Sequence, residues 1–238
     1  MKMHRLPETD LARIGPLSRD RKRALLRRHK QAVAPYSYAP TRRTLPDIWN
    51  TQYELLGTSE RPTWEKIEKR IWECSKSPEE FQANIPVAKK LFRHAEANSI
   101  ISHVEDFLPL QIGIGANVCY WSKLSYVVDG KVTVLFIDPR RNNGLGRLGR
   151  RFAFSMMHHG VRLADPDFEN AALQIIHVGS SLNGARTLNF HTDRDVNLYS
   201  FDELDQMVRE TYEIWREVLE EREEEERKKA LSRKGSLI

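Results

Sequence analysis

The stretch CYWSKLSYVVDGKVTVLFIDPRR, residues 119–141, decides the fold. Two apolar runs rich in β-branched residues flank Asp129-Gly130, a dipeptide that favours a tight hairpin turn. The second run ends at Ile137 and is followed directly by Asp138 and Pro139. The pattern therefore predicts a buried hairpin whose second strand places one carboxylate at its end.

The segment after this hairpin is rich in arginine. Residues 139–164 contain no aspartate or glutamate, but they contain six arginines: Arg140, Arg141, Arg147, Arg150, Arg151 and Arg162. Guanidinium groups bind phosphates through paired, charge-assisted hydrogen bonds, so the run favours a polyanionic partner. The alternative is a solvated helix surface that binds nothing.

Helices and strands are predicted around the hairpin. Helices are expected over residues 63–74, 77–98 and 145–161 and from residue 200 onward, with a kink or break near Asn84 because Pro86 follows it. Residues 172–178 read as a buried strand, and residues 186–191 and 195–199 as an edge hairpin. The order predicts a mixed α/β or α+β fold, in which helices flank a small mixed sheet.

Composition limits the classes of protein. With 238 residues the chain can build one sizeable core, and its apolar runs are too short for a transmembrane helix, so no membrane partner is expected. The two cysteines have no motif spacing, which is typical of a reduced, cytoplasmic protein. No P-loop, dinucleotide fingerprint or serine nucleophile motif is present. Zinc ligation by the histidines is disfavoured because no cysteine pair accompanies them.

The positive charge is concentrated near the N-terminus. Residues 1–43 carry twelve lysines or arginines against three acids, a net charge of +9, whereas the whole chain carries +5. We therefore predict a basic arm and extended segment over residues 1–45 and one α/β core domain over residues 46–220. A charged helical extension and flexible tail follow over residues 221–238. A basic arm binds nucleic acid or an acidic protein surface, or it is a solvated tail.

The hairpin and its flanks resemble the core of the PD-(D/E)xK nuclease superfamily. In that register Ser125-Tyr126 takes the place of Pro-Asp, and Asp138-Pro139-Arg140 takes the place of (D/E)-x-K. The resemblance spans residues 81–178 and implies a restriction-endonuclease-like core. The motif departs from the family at Tyr126, where an aspartate is expected, and at Arg140, where a lysine is expected.

The resemblance also implies a set of site residues. Asp138 would be a catalytic residue and metal ligand, and Glu105 or Glu96 would be the helix-borne acid that accompanies it. An active enzyme of this kind would be a metal-dependent nuclease that uses Mg²⁺. No other cofactor is expected. Because Tyr126 cannot hold a metal as an aspartate does, the site is interpreted as degenerate.

Three functions follow from these patterns. The main hypothesis is a DNA- or RNA-binding protein with a degenerate nuclease-like core, belonging to a mobile-element, defence or repair system. The first alternative is an adaptor of a protein complex that docks through its N-terminal arm and C-terminal helix. The second alternative is an active Mg²⁺-dependent DNA endonuclease. The residues expected to contact nucleic acid are Arg140, Arg141, Arg147, Arg150, Arg151, Arg21, Lys22, Arg23, Arg27 and Arg28.

Overall fold

A six-stranded mixed sheet is the centre of the fold. The structure is a computed structural model that describes residues 5–29, 37–52, 60–113, 115–141 and 144–235. The strands lie in the order β1-β2-β5-β6-β7-β8, in which β1 pairs with β2 and β6 with β7 in parallel and the other pairs are antiparallel. These strands are β1 (Thr51–Gln52), β2 (Ser102–Val104), β5 (Leu124–Val128), β6 (Lys131–Asp138), β7 (Ala172–Ser180) and β8 (Arg186–Thr192).

The predicted hairpin is confirmed as β5 and β6. Asp129 and Gly130 connect the two strands with φ angles of 50° and 72°, the left-handed region that a two-residue type I′ turn requires. The register pairs Ser125 with Val134, which sets Leu124, the first residue of β5, opposite Leu135, so the last three residues of β6 extend beyond β5. That overhang, which ends at Asp138, pairs with β7.

One face of the sheet is covered by helices from both ends of the chain. Val134 and Ile175 point into a hydrophobic cluster that also contains Leu11, Phe152 and Trp215. The covering elements are α1 (Glu8–Ile14), α2 (Arg19–Arg28), α7 (Arg147–Met157), α8 (Phe201–Gly235) and a small hairpin of β3 (Leu110–Ile112) with β4 (Ala116–Val118).

The opposite face packs on the helices that precede the hairpin. Leu135 and Ile176 point into a second cluster, as the two-residue alternation of a strand requires. The helices are α3 (Ala39–Arg43), α4 (Leu45–Ile48), α5 (Trp64–Cys74) and α6 (Pro78–Ala97). The expected break near Asn84 is wrong, because α6 continues through Pro86. Asn84 instead holds α3, accepting from the Thr41 amide and donating to the Ser37 carbonyl.

The fold class is confirmed: helices flank a mixed sheet, and a long helix follows it. A further local prediction, the edge hairpin, is wrong. The strand at 186–192 pairs with β7 rather than with residues 195–199, which form no strand. The helix from 147 changes at His158 into a π-helical turn, His158–Arg162, which a short 3₁₀ turn follows at Pro166–Phe168.

Several N-terminal residues of the predicted arm are packed in the core. Leu6, Leu11 and Leu26 are buried in the first cluster, so α1 and α2 contribute to the same core as the sheet. Within the predicted arm and extended segment, residues 30–36 lie outside the described residues, and Ala39–Arg43 form helix α3 rather than an extended chain. Residues 236–238 of the predicted tail also lie outside the described residues. The division into arm, core and extension stays a prediction. None of the helices in the described ranges is both long and apolar enough to span a bilayer.

Candidate functional site

The arginine run after β6 is largely engaged within the molecule. The Arg140 guanidinium donates to both carboxylate oxygens of Asp10 at 2.8 and 2.9 Å. Burial raises the pKa of Asp10, but the hydrogen bond and charge of Arg140 outweigh it and the pKa lies below its usual value. Burial lowers the pKa of Arg140, but the hydrogen bond and the charge of Asp10 outweigh this effect, so the pKa of Arg140 lies above its usual value. This pair ties α1 to the end of β6.

Three of the other five arginines of the run have separate partners. Arg150 donates to the Leu145 carbonyl at 2.8 Å, and Arg151 lies over the Tyr199 ring, 3.6 Å from its centre. Arg162 forms an ion pair with Asp193 at 2.6 Å. Arg141 and Arg147 are exposed and form no ion pair with the described residues. The run therefore does not form one unpaired cationic surface.

The basic helix α2 faces acidic residues of α8. Lys22 is almost fully buried and forms an ion pair with Glu210, while Arg23 contacts both Glu217 and Glu221. Arg27 contacts Glu221 at 2.9 Å. The side chain of Arg222 donates to the Leu26, Arg27 and His29 carbonyls at the end of α2. Of the predicted contacts on this helix, Arg21 and Arg28 are exposed and unpaired within the described chain.

The three predicted catalytic acids lie apart. Asp138 is fully buried and accepts from the Leu145 amide at 3.0 Å and the Arg140 amide at 3.3 Å. Glu105 accepts a hydrogen bond from the hydroxyl of Ser125, which pairs with Val134 of β6. Val134 precedes Asp138 by four residues, which is about 13 Å along the strand. Glu96 lies on α6, against the opposite face of the sheet. The structure does not bring the three acids together, and their individual roles stay predictions.

The position expected to replace the family's aspartate is part of the core. Tyr126 is buried in the second cluster and donates to the side-chain oxygen of Gln174 at 2.6 Å. Burial raises its pKa well above the ordinary value of a tyrosine. Across the described parts of the chain, no group of three or more His, Cys, Asp or Glu side chains is placed to hold a metal ion.

A cleft lies beside Arg140, on the side of the molecule where Arg140 pairs with Asp10. Its volume is about 700 Å³, and it lies between the start of α1, the α3 helix and the end of β6. The apolar part of its lining comes from Leu45, Trp121, Phe136 and Ile137. Such a volume lies in the range typical of ligand sites, roughly 300–1,000 Å³.

Charged groups surround this cleft. Arg42 and Arg141 line it together with Arg140. Behind the wall, Arg186 is 9% exposed and donates to the Tyr38 hydroxyl and to the Val178 and Pro139 carbonyls. Neither Arg42 nor Arg186 was predicted as a site residue, because each lies in a different local pattern and only the tertiary fold brings them together.

Comparison with known proteins gives the family. The model of the family described as "Sliding clamp-binding bacterial toxin SocB" matches residues 9–225. The chain belongs to this family. It is also 39% identical, over 228 residues, to the DNA replication inhibitor toxin SocB of Caulobacter vibrioides (strain NA1000 / CB15N), covering 96% of this chain and 95% of that protein. No solved structure matches significantly.

The family match corrects the sequence-based identification. The resemblance to PD-(D/E)xK nucleases is wrong, and so is the main hypothesis of a nuclease-like nucleic-acid-binding protein, because the matched family is that of a clamp-binding toxin. DNA or RNA as the expected partner is likewise unsupported, and the Mg²⁺ expectation loses its basis. The adaptor alternative, in which the chain acts by binding a protein, agrees better with the family. Its specific docking elements, the arm and the C-terminal helix, are in contact with each other.

Proposed function

We propose that this protein binds the bacterial sliding clamp and thereby inhibits DNA replication. The observation that carries the proposal is the match to the clamp-binding toxin family over residues 9–225. The relative that is 39% identical is named a DNA replication inhibitor toxin, and the alignment covers nearly the whole of both chains. The proposed place of action is the cytoplasm, where bacterial replication occurs.

The distribution of charge supports a protein partner over a nucleic acid. A nucleic-acid interface needs several unpaired cations on one surface. Here Lys22, Arg23 and Arg27 face glutamates of α8, and Arg140 and Arg162 face aspartates. Forming a phosphate interface with these groups would first require breaking the internal ion pairs.

The tip of the β5–β6 hairpin provides apolar surface of the kind that protein interfaces use. Val127, Val128 and Val132 are 59%, 38% and 37% exposed, and Val127 pairs with Val132 across the hairpin. Adjacent exposed apolar side chains on a folded protein are typical of contact sites for other proteins. This feature supports protein binding in general.

Inhibition follows from occupancy of the clamp. A stable interface of standard size buries about 1,600 Å². A protein of this size bound to the clamp would exclude other proteins from the same surface. The proposal therefore requires stoichiometric binding and predicts an inhibition that added clamp relieves.

Two measurements test the proposal. Titration calorimetry of the full chain with the purified clamp of the same species should give a complex with micromolar or tighter affinity. Primer extension should be inhibited when synthesis depends on the clamp, and excess clamp should restore it. Extension by a polymerase that works without the clamp is the control and should be unaffected. Absence of a complex, or equal inhibition of both reactions, would contradict the proposal.

A further inference from the structure

The cleft beside the end of β6 combines an apolar floor with unbalanced positive charge. Arg42 and Arg141 line it, both are exposed, and neither has a carboxylate oxygen within 4.0 Å in the described chain. The neighbouring charges are already balanced, since Arg140 pairs with Asp10 and Arg5 pairs with Glu8. Two guanidinium groups are thus available at the opening of an apolar cavity.

A third guanidinium lies behind the wall of the cleft. Arg186 is only 9% exposed, and no carboxylate oxygen of the described residues lies within 4.0 Å of it. Its Nε is buried and makes no hydrogen bond with the described chain. Two of its acceptors, the Tyr38 hydroxyl and the Pro139 carbonyl, belong to residues that line the cleft. A buried cation without a counter-ion is costly, and an anion in the cleft would reduce that cost.

We propose that this cleft binds a small amphiphilic anion, a molecule with an aromatic or acyl body and one anionic group. The body would occupy the apolar floor formed by Trp121, Phe136 and Ile137. The anionic group would lie between Arg42 and Arg141, with the field of Arg186 behind it. The volume of about 700 Å³ suits one molecule of this kind. This site is separate from the proposed clamp-binding function and does not depend on it.

The charge requirement can be tested with two probes that differ in one group. 8-Anilinonaphthalene-1-sulfonate carries a sulfonate, and N-phenyl-1-naphthylamine has the same ring system without it. Fluorescence titration of the full chain should show one bound sulfonate per chain. The double variant Arg42→Gln/Arg141→Gln should weaken sulfonate binding by about tenfold and leave binding of the uncharged probe unchanged.

Two further variants separate charge from shape. Arg43→Gln removes an exposed charge next to Arg42 that does not line the cleft, so it should change neither affinity. Ile137→Thr keeps a β-branched residue in the strand but makes the floor polar, so it should weaken both probes. Equal loss of sulfonate affinity in Arg43→Gln and in the double variant would overturn the proposal. Binding of many sulfonates with no dependence on Arg42 and Arg141 would also overturn it. Displacement of the sulfonate by the clamp would assign the cleft to protein docking instead.

Discussion

Replacing Asp138 with alanine is expected to destabilise the protein strongly. The carboxylate is fully buried at the end of β6 and accepts from the Leu145 and Arg140 amides at 3.0 and 3.3 Å. A hydrogen bond to a charged group contributes about 1.5–3 kcal/mol, and a buried donor left without an acceptor costs about as much. With the longer second bond weighted less, Asp138→Ala should lower the free energy of unfolding by about 3–5 kcal/mol. A domain has only about 5–15 kcal/mol in total.

Urea unfolding followed by tryptophan fluorescence measures this change, with the m-value checked for two-state behaviour. Asp138→Asn retains one acceptor oxygen and should cost about half as much as the alanine variant. Asp129→Asn is the control, because Asp129 is exposed in the hairpin turn at a φ of 50°, which asparagine tolerates. It should change stability by less than about 0.5 kcal/mol. If Asp138→Ala costs under about 1 kcal/mol, or if the asparagine variant costs as much as the alanine variant, the two amide hydrogen bonds do not stabilise the fold as argued.

Three further predictions concern packing and charge. Gly160→Ala should cost about 1–3 kcal/mol in urea unfolding, because an added Cβ would lie 2.0 Å from the Trp121 ring; an unchanged midpoint would show that the ring moves freely. Glu210→Ala should destabilise more than Lys22→Met, since the first leaves a buried ammonium unpaired while the second removes it; the reverse order in the same assay would contradict this. Asp10→Asn should lower stability by about 1–2 kcal/mol at pH 7. Because the folded-state pKa of Asp10 lies below its usual 3.8, the difference from wild type should shrink as the pH falls below about 4, and a constant difference would refute the pairing.

Four of the six strands of the sheet, β5 to β8, were predictable because their signals are local, whereas the short strands β1 and β2 carry no such signal. The hairpin follows from Asp129-Gly130 between apolar runs, and β7 from a continuous apolar stretch. The pairing of β8 was not predictable from alternation alone, since residues 195–199 have a similar local pattern and β7 is the neighbour that tertiary packing selects. At residues 186–199 the local pattern therefore located one strand correctly, predicted a second that does not form, and did not identify the pairing partner.

The candidate site was poorly predictable for a related reason. The arginines after β6 were predicted to be unpaired because no acidic residue lies near them in the sequence. The aspartates that pair with Arg140 and Arg162 come from distant positions. Asp10 is 130 residues from Arg140, and Asp193 is 31 residues from Arg162. The buried Asp138 resembled a metal ligand only in its position after a strand. Its actual partners are backbone amides, which any sequence supplies and no residue pattern reveals.

The contact between α2 and α8 determines how protein docking through the arm must be tested. Deleting residues 1–45 would remove Leu6, Leu11 and Leu26 from the core, so loss of a partner could reflect unfolding alone. The buried side of α2 contacts α8, whereas Arg21, Leu25 and Arg28 are exposed at helical spacing on another side. A partner that docks on α2 of the intact protein must contact this exposed face. Substitutions there leave the ion pairs with α8 in place, and binding can then be separated from folding.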